Sequence, residues 1–555
     1  MGFTADIIVW DLETRTLLHR MGLHKVKIQA LDFSADEKFL ASLGGQDDNN
    51  LVLWDVASGA AVCGSPTHYN FTLSVKFFNN RNDALVTGGA HNLKVWHYDR
   101  AHNHLNCADV QLGHLRRVVN CVTIDANDQW AYCGTTTGDV LQINLERMLM
   151  RNTGPAKAPI QMGVTASCEA PTGDMLIGGG DGTLALMATT AEADPKHPKQ
   201  SKKLAVLAST KLEGGITGMV LESVSSKSFT LLVGTNASNI LRVTYSLATN
   251  KFSHELVQTA HADKIAAITF PDGLSDIFAT CSTGNIRVWH LPTCRELLRI
   301  AVPNLEAKCV AFAPDGKSIV SGWSDGKVRA FGPQTGKLLY TINDAHHKAV
   351  TAVAMTSDSG RLITGGEEGF VRVWRITKQS QVMEASMKDH KGPVNGINMK
   401  PSSDDECVSA SNDGSCIIWD LTTFKRHASL FGNTLFKSAK YHPDGSQIIT
   451  AGTDRKITYW DAYDGKEIRV IDGSDSDPVT ALAVDKRGEV IVSGADDKML
   501  KFWSYDAGIS YATGVAHTGT ITDAAVTPDC TKIVSVGSEG GIFIWECPPT
   551  PTVNF

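Results

Sequence analysis

The chain has 555 residues, 42% of them hydrophobic and 20% charged, which suits globular structure but exceeds one ordinary core, so two to four domains are expected. Its net charge of −7 argues against bulk binding to nucleic acid or to an anionic membrane, since both require a positive field. No apolar run approaches the roughly 20 residues of a membrane helix, the opening MGFTADIIVWD lacks a basic n-region and so predicts no secretory signal, and twelve scattered cysteines without CxxC or zinc spacing fit a reducing compartment.

Short β-rich segments ending in Trp, or in a residue standing for it, recur along the whole length. In chain order they are IIVWD at Trp10, LVLWD at Trp54, LKVWH at Trp96, VLQIN at Ile143, TLALM at Met187, ILRVT at Val243 and IRVWH at Trp289. There follow VRAFG at Phe331, VRVWR at Trp374, CIIWD at Trp419, ITYWD at Trp460, LKFWS at Trp503 and IFIWE at Trp545. The spacings run from 41 to 47 residues, apart from 56 between Met187 and Val243. A period of about 40–45 residues is that of propeller blades. In Ile457-Thr458-Tyr459-Trp460 both faces are largely apolar or aromatic, as a strand buried between two neighbouring sheets requires. Turns such as Pro314-Asp315-Gly316 and Pro443-Asp444-Gly445 precede further short runs, and no stretch beyond 12 residues has helical periodicity.

A second position keeps the same register. An acid stands six residues before the ending at Asp48, Asp181, Asp325, Glu368, Asp413, Asp454, Asp497 and Glu539. Histidines mark the entry to many repeats: His24, His114, His261, His346, His390 and His517. Together these features resemble the WD40 repeat, whose His, Ser/Thr, Asp and Trp form a side-chain network that satisfies a buried indole N–H. The network carries over best at His390, Ser409 or Ser411, Asp413 and Trp419, with Ser411 taken as the hydroxyl. A partial set is His517, Ser535, Glu539 and Trp545. Where Ile143, Met187, Val243 and Phe331 replace Trp, or Ala90, Thr137, Ala237 and Thr283 replace the acid, apolar packing alone is expected to hold the blade.

The predicted fold is all-β, two tandem seven-bladed WD40 β-propellers. Residues 1–250 form the first, 251–547 the second and 548–555 a short tail. Seven endings fall after residue 253, and Lys251–Thr259 is expected to supply the fourth strand of the last blade, closing the ring and removing its free edges. The first propeller has only six endings, and the first comes at Trp10 with no strands upstream, so about one and a half blades are expected to lie outside this sequence. Met1 as an internal methionine of a longer product accounts for this; strands donated by a partner, or a naturally open ring, are the alternatives.

No HExxH, GxxxxGK[ST] or GxSxG pattern is present, and no catalytic, cofactor or metal site is expected. The run Gly178-Gly179-Gly180-Asp181-Gly182 falls on the blade register as a hairpin, not at a helix start where phosphate would bind. Repeated His and Asp residues at fixed spacing read as structure, since an enzyme needs one site rather than many copies. The long spacing after Met187 holds the insertion DPKHPKQSKK, residues 194–203, with Lys196, Lys199, Lys202 and Lys203. It reads either as a solvated hairpin loop or as a docking loop for an acidic surface, with Arg116-Arg117 a weaker candidate.

Longer stretches point further. MGFTADIIVWD, GTTTGDVLQIN, CRELLRIAVPN, DGKSIVSGWSDGKVRAFGPQTGKLLY, CVSASNDGSCIIWDL and NTLFKSAKYHPDGSQIITAGTDRKITYWD resemble the cilia- and flagella-associated protein 52 family from near Met1 to Trp545. The resemblance implies a non-enzymatic scaffold of the ciliary or flagellar axoneme, within the cytoplasmic cytoskeleton. It implies a microtubule inner protein in the B-tubule lumen of doublet microtubules near the inner junction, with α/β-tubulin and other inner proteins as partners. Nucleic acid, membrane and small-molecule substrate are not expected partners. A general WD40 adaptor in a soluble complex is the alternative.

Overall fold

Every regular element among the described residues is a β-strand, as segments rich in β-branched and aromatic residues dictate. The structure is a computed structural model, and it describes residues 4–14, 16–67, 70–155, 159–189, 204–377, 379–401 and 403–549. The chain is an all-β WD40 propeller protein built of antiparallel sheets, most of them four-stranded and each made of strands consecutive in sequence. It divides into two compact units, Met1–Gln258 and Thr259–Phe555.

In the second unit each sheet begins with a strand that touches the first strand of the next. Val350–Met355 meets Val394–Met399, followed by Phe436–Tyr441, Val479–Val484 and Ile521–Val526. Ile521–Val526 in turn meets Ile265–Thr269, which brings the series back to its start. The long strand Arg295–Phe312 joins two blades: Arg295–Glu306 pairs with Ile277–His290, and Ala307–Phe312 pairs with Ile319–Trp323. Apolar clusters lie between the sheets rather than within one. Ile265, Ile268, Phe278 and Trp289 pack with Val534 and Val536 from the far end of the unit.

Hydrogen bonds reinforce this packing at one register position, the residue after the apolar one that opens the first strand. Thr351 Oγ1 donates to the Val394 carbonyl at 2.5 Å and Asn395 Nδ2 to the Phe436 carbonyl at 2.6 Å. Thr480 Oγ1 donates to the Ile521 carbonyl at 2.5 Å and Thr522 Oγ1 to the Ile265 carbonyl at 2.6 Å. In the first unit Asn120 Nδ2 reaches the Val164 carbonyl at 3.0 Å, and Thr165 reaches that of Ile216.

One strand departs from expectation. Lys251–Thr259 is the fourth strand of the sheet formed by Ile216–Val224, Ser228–Thr235 and Asn239–Ser246 in the first unit. It does not complete the sheet of Ile521–Val526, Lys532–Gly537 and Ile542–Glu546, which has three strands among the described residues. A turn over residues 247–250, with Asn250 at φ 53°, brings the strand back beside its neighbour, the short connection that sequential strands favour. Cross-sheet side-chain bonds and apolar packing therefore join the first and last sheets of the second unit.

In the first unit Thr4–Trp10 pairs with Leu17–Lys25 as a two-stranded sheet. Ile7 and Met21 are buried against Leu40, Val52 and Trp54. Trp10 is 45% exposed, unlike the Trp residues of the later endings, and Leu18 and Leu23 on the paired strand are exposed. The sheet at the other end of the series also shows apolar side chains to solvent, among them Val220, Val224 and Leu256.

Replacing Thr480 and Thr522 together by Val keeps their shape but removes two cross-sheet bonds, and should destabilise the second unit by about 1 kcal/mol per bond. Calorimetry of the double variant is expected to show one lowered transition, while the other stays in place.

Candidate functional site

The repeated histidines, hydroxyls and acids form chains of hydrogen bonds inside the sheets. At the best-matched repeat, Trp419 closes the strand Ser415–Asp420 and pairs across the hairpin with Cys407. Its indole N–H leans diagonally to the residue two positions on, Ser409, whose Oγ accepts at 2.7 Å. Ser409 Oγ also lies 2.7 Å from His390 Nε2, and His390 Nδ1 lies 3.0 Å from Asp413 Oδ2. The hydroxyl of the network is thus Ser409, correcting the expectation of Ser411. Ser411 lies one strand repeat too far along, where it donates to the Gly392 carbonyl at 3.1 Å and accepts from the Asp413 N–H at 3.2 Å.

The chemistry of the donors fixes the direction of the chain. An indole can only donate, so Ser409 Oγ accepts from it; of the two acceptors for its own proton, His390 Nε2 at 2.7 Å is much nearer than the Ile417 carbonyl at 3.4 Å. His390 is then neutral and protonated at Nδ1, donating to the Asp413 carboxylate. Burial of the imidazole depresses its pKa, although Asp413 opposes the shift. Burial likewise raises the Asp413 pKa, but bonds from Ser415 and the Lys391 N–H, together with His390, outweigh it and hold the carboxyl below its usual range. A tight turn seats the acid. Gly414 takes φ 85°, open to glycine at little cost. At the equivalent Gly369 a Cβ would fall 2.5 Å from the His390 carbonyl oxygen, so glycine also lets one hairpin approach the next entry loop.

The same chain is complete where the sequence suggested a partial set. Trp545 donates to Ser535 at 2.8 Å, Ser535 lies 2.7 Å from His517 Nε2, and His517 Nδ1 lies 2.5 Å from Glu539. It is complete again through Trp54, Ser42, His24 and Asp48, and through Trp374, Thr364, His346 and Glu368. In two further sheets Thr434 and Ser474 take the histidine's place on Asp454 and Asp497. Trp289, Thr280 and His261 form the chain without an acid, and His261 Nδ1 is buried without a partner among the described residues. Ser535, and Ser409 as one of two candidates, are expected from the sequence; the signal missed there is the Ser or Thr ten to twelve residues before the Trp at Ser42 and Thr364.

The departing repeats at Ile143, Met187 and Phe331 do not rest on apolar packing alone, which corrects a second expectation there. Where Phe331 replaces Trp, the indole of Trp323 is fully buried on the adjacent strand and donates to Ser321 at 2.9 Å. Arg329 stacks over it at 5.5 Å and pairs with Asp325 at 2.6 Å. Where Thr137 replaces the acid, Asp139 pairs with Arg117 at 3.0 Å and accepts from Thr137 at 2.5 Å and from Thr135. Arg117 is therefore committed to this sheet. His114 is exposed and joins no such chain. At Met187, Asp181 pairs with Lys211 at 2.7 Å. The insertion 194–203, with Lys196, Lys199, Lys202 and Lys203, lies outside the described residues.

No cluster of metal-ligating side chains occurs among the described residues. Burial pushes the thiols of Cys133, Cys407 and Cys416 up and that of Cys309 to about 12, so these cysteines are protonated packing groups.

Comparison with known proteins agrees with this geometry. The family model described as WD domain, G-beta repeat matches residues 15–55, 421–461, 465–504 and 509–546, and a WDR54 model matches residues 219–430. The chain is 64% identical to cilia- and flagella-associated protein 52 of Chlamydomonas reinhardtii, over 98% of this chain and 86% of that protein. Against the protein of the same name in Homo sapiens it is 42% identical, over 99% of this chain and 86% of that one. WD repeat-containing protein 90 of Xenopus tropicalis is 22% identical, over 91% of this chain and 28% of its own length.

Ser409→Ala leaves an indole N–H and an imidazole nitrogen unpaired and should cost about 2–3 kcal/mol, whereas Ser411→Ala should cost about 1. Urea unfolding of the two variants gives that order, and the reverse order contradicts the assignment. A pH dependence follows as well. The buried His261, His346, His390 and His517 all have folded pKa values below 6.5, with His261 at about 3. Below about pH 6.5 the unfolded chain binds more protons, so the stability these groups contribute is full above that pH and falls as the pH drops. His261→Gln should reduce the loss between pH 7 and 5 by roughly 2 kcal/mol, measured by unfolding at both values.

Proposed function

The chain belongs to the cilia- and flagella-associated protein 52 family, and from that premise we propose that it is a non-enzymatic scaffold of the ciliary or flagellar axoneme. In this reading it is a microtubule inner protein of the B-tubule lumen, near the inner junction of the doublet. There it binds α/β-tubulin and other inner proteins and stabilises the wall. The observation that carries the proposal is 64% identity across 98% of the chain to a protein named for cilia and flagella.

The physical character of the sheets supports it. Repeated Trp, hydroxyl, His and acid chains fix each hairpin to its neighbour and keep the histidines neutral in place. Such side chains are suited to rigidity rather than to proton transfer with a substrate. Surface loops on a stiff frame can each contact a different partner. Tubulin is acidic, so a chain of net charge −7 meets it through local basic segments, and the four lysines of 194–203 form one.

Fractionation tests the location. The protein is expected to pellet with axonemes after a high-salt wash; release into a soluble complex would instead favour the adaptor reading. Reversing Lys196, Lys199, Lys202 and Lys203 to Glu is expected to lower axonemal retention at physiological salt, read by immunoblot. Retention equal to the parent protein would remove this loop from the docking account.

A further inference from the structure

The axial layer of the second unit has three residues out of pattern, Ala266 and two lysines. The position after the opening residue of each first strand holds Thr351, Asn395, Thr480 and Thr522, each bonded to the next sheet. At the equivalent position in two other sheets stand Lys308 and Lys437. A threonine there already joins neighbouring sheets, so sheet packing gives no reason for an ammonium group.

Both lysines line a polar cavity of about 380 Å³ on the first strands of the second unit, and Lys440 lines it too. Lys308 pairs with Glu306 at 2.7 Å, and Lys437 donates to the neutral amide oxygen of Asn412 at 3.1 Å. Lys440 has no ion-pair or hydrogen-bond partner among the described residues. The one carboxylate that lines the cavity among the described residues is Asp523. Its oxygens accept the N–H groups of Ile268 at 3.0 Å and Ala524 at 2.9 Å. Burial pushes its pKa up, against the pull of Lys440 and of these two N–H groups. Asn398 Oδ1 accepts the Tyr441 N–H at 2.9 Å, which leaves its amide nitrogen as a donor at the cavity.

Lys437 and Lys440 face the cavity with no carboxylate bonded to either among the described residues, Lys308 is held by Glu306, and Asp523 is the one carboxyl in the lining, inside a protein whose overall charge is −7. Isolated like charges in a confined, partly desolvated space repel one another, and an oxyanion relieves that repulsion while accepting their hydrogen bonds. Access is provided by an adjoining cavity of about 580 Å³ that shares Asn398, Lys440 and Asp523 with the first. Asp272 and Asp485 line that outer space, Asp272 being paired with Lys486 at 3.6 Å, so the positive excess belongs to the inner cavity.

We propose that the axial cavity of the second unit binds a small multivalent phosphate-type oxyanion through Lys437 and Lys440. The binding requires no microtubule and goes beyond the scaffold reading, so it is tested on the isolated full chain. Inorganic pyrophosphate is titrated calorimetrically at constant ionic strength, with orthophosphate and chloride in parallel. Saturable binding of pyrophosphate at one site per chain, stronger than orthophosphate and absent with chloride, is the expected result. Lys437→Thr restores the residue used in neighbouring sheets and so preserves the fold; with Lys440→Gln it is expected to weaken binding at least about tenfold, equivalent to 1.4 kcal/mol. The four-lysine reversal in 194–203 is expected to leave binding unchanged. No saturable binding, or binding that survives Lys437→Thr and Lys440→Gln but is lost on reversal of the loop, overturns the proposal.

Discussion

A buried indole N–H must find an acceptor, and in this protein the acceptor is a hydroxyl that is itself held by a histidine. Left unpaired in a dry sheet, the N–H would cost about 1–3 kcal/mol. One serine or threonine answers it, and the proton of that hydroxyl has one good destination, the imidazole nitrogen 2.7 Å away in the best-formed chain. The histidine's second nitrogen then faces the carboxylate at the hairpin. A single hydroxyl thereby connects the third strand of a sheet, its second strand, the loop that enters it and the turn between. This explains why four complete copies occur among the described residues, and why two other sheets retain the acid with Thr434 or Ser474 in place of histidine.

The Trp endings, the acids before them and the histidines at repeat entries were legible because each stands at a fixed offset on a period of about 43 residues. Ser409 was not separated from Ser411 because both point to the same face of one strand; only the diagonal reach of the indole distinguishes them. Compensation at Trp323 and Asp139 was hidden for a related reason, since each moves its chemistry a few residues out of register while keeping it in the same space. The placement of Lys251–Thr259 depended on a competition that sequence pattern does not encode. A four-residue turn to the preceding strand wins over closure with the C-terminal sheet. The axial Thr and Asn residues follow a visible Val-Thr or Val-Asn pair, as at Val350-Thr351 and Val394-Asn395, but such pairs are ordinary until the strands are seen side by side.

These features divide the labour between interior and surface. The interior is held by hydrogen-bonded chains that run from a buried indole to a carboxylate and by apolar clusters shared between adjacent sheets, a construction that resists deformation. Charge is displaced to the loops and, in the second unit, to lysines on the axis. Family membership gives this frame its proposed setting in the axoneme.

The most direct measurement is the protonation state of His390, read by long-range 1H–15N correlation on selectively 15N-histidine-labelled protein at pH 7, with His390→Gln for assignment. Because the Trp419 indole can only donate and the nearer acceptor for the Ser409 proton is His390 Nε2, the ring is expected to be neutral, with its proton on Nδ1 and none on Nε2. An imidazolium, or a proton resident on Nε2, would contradict it.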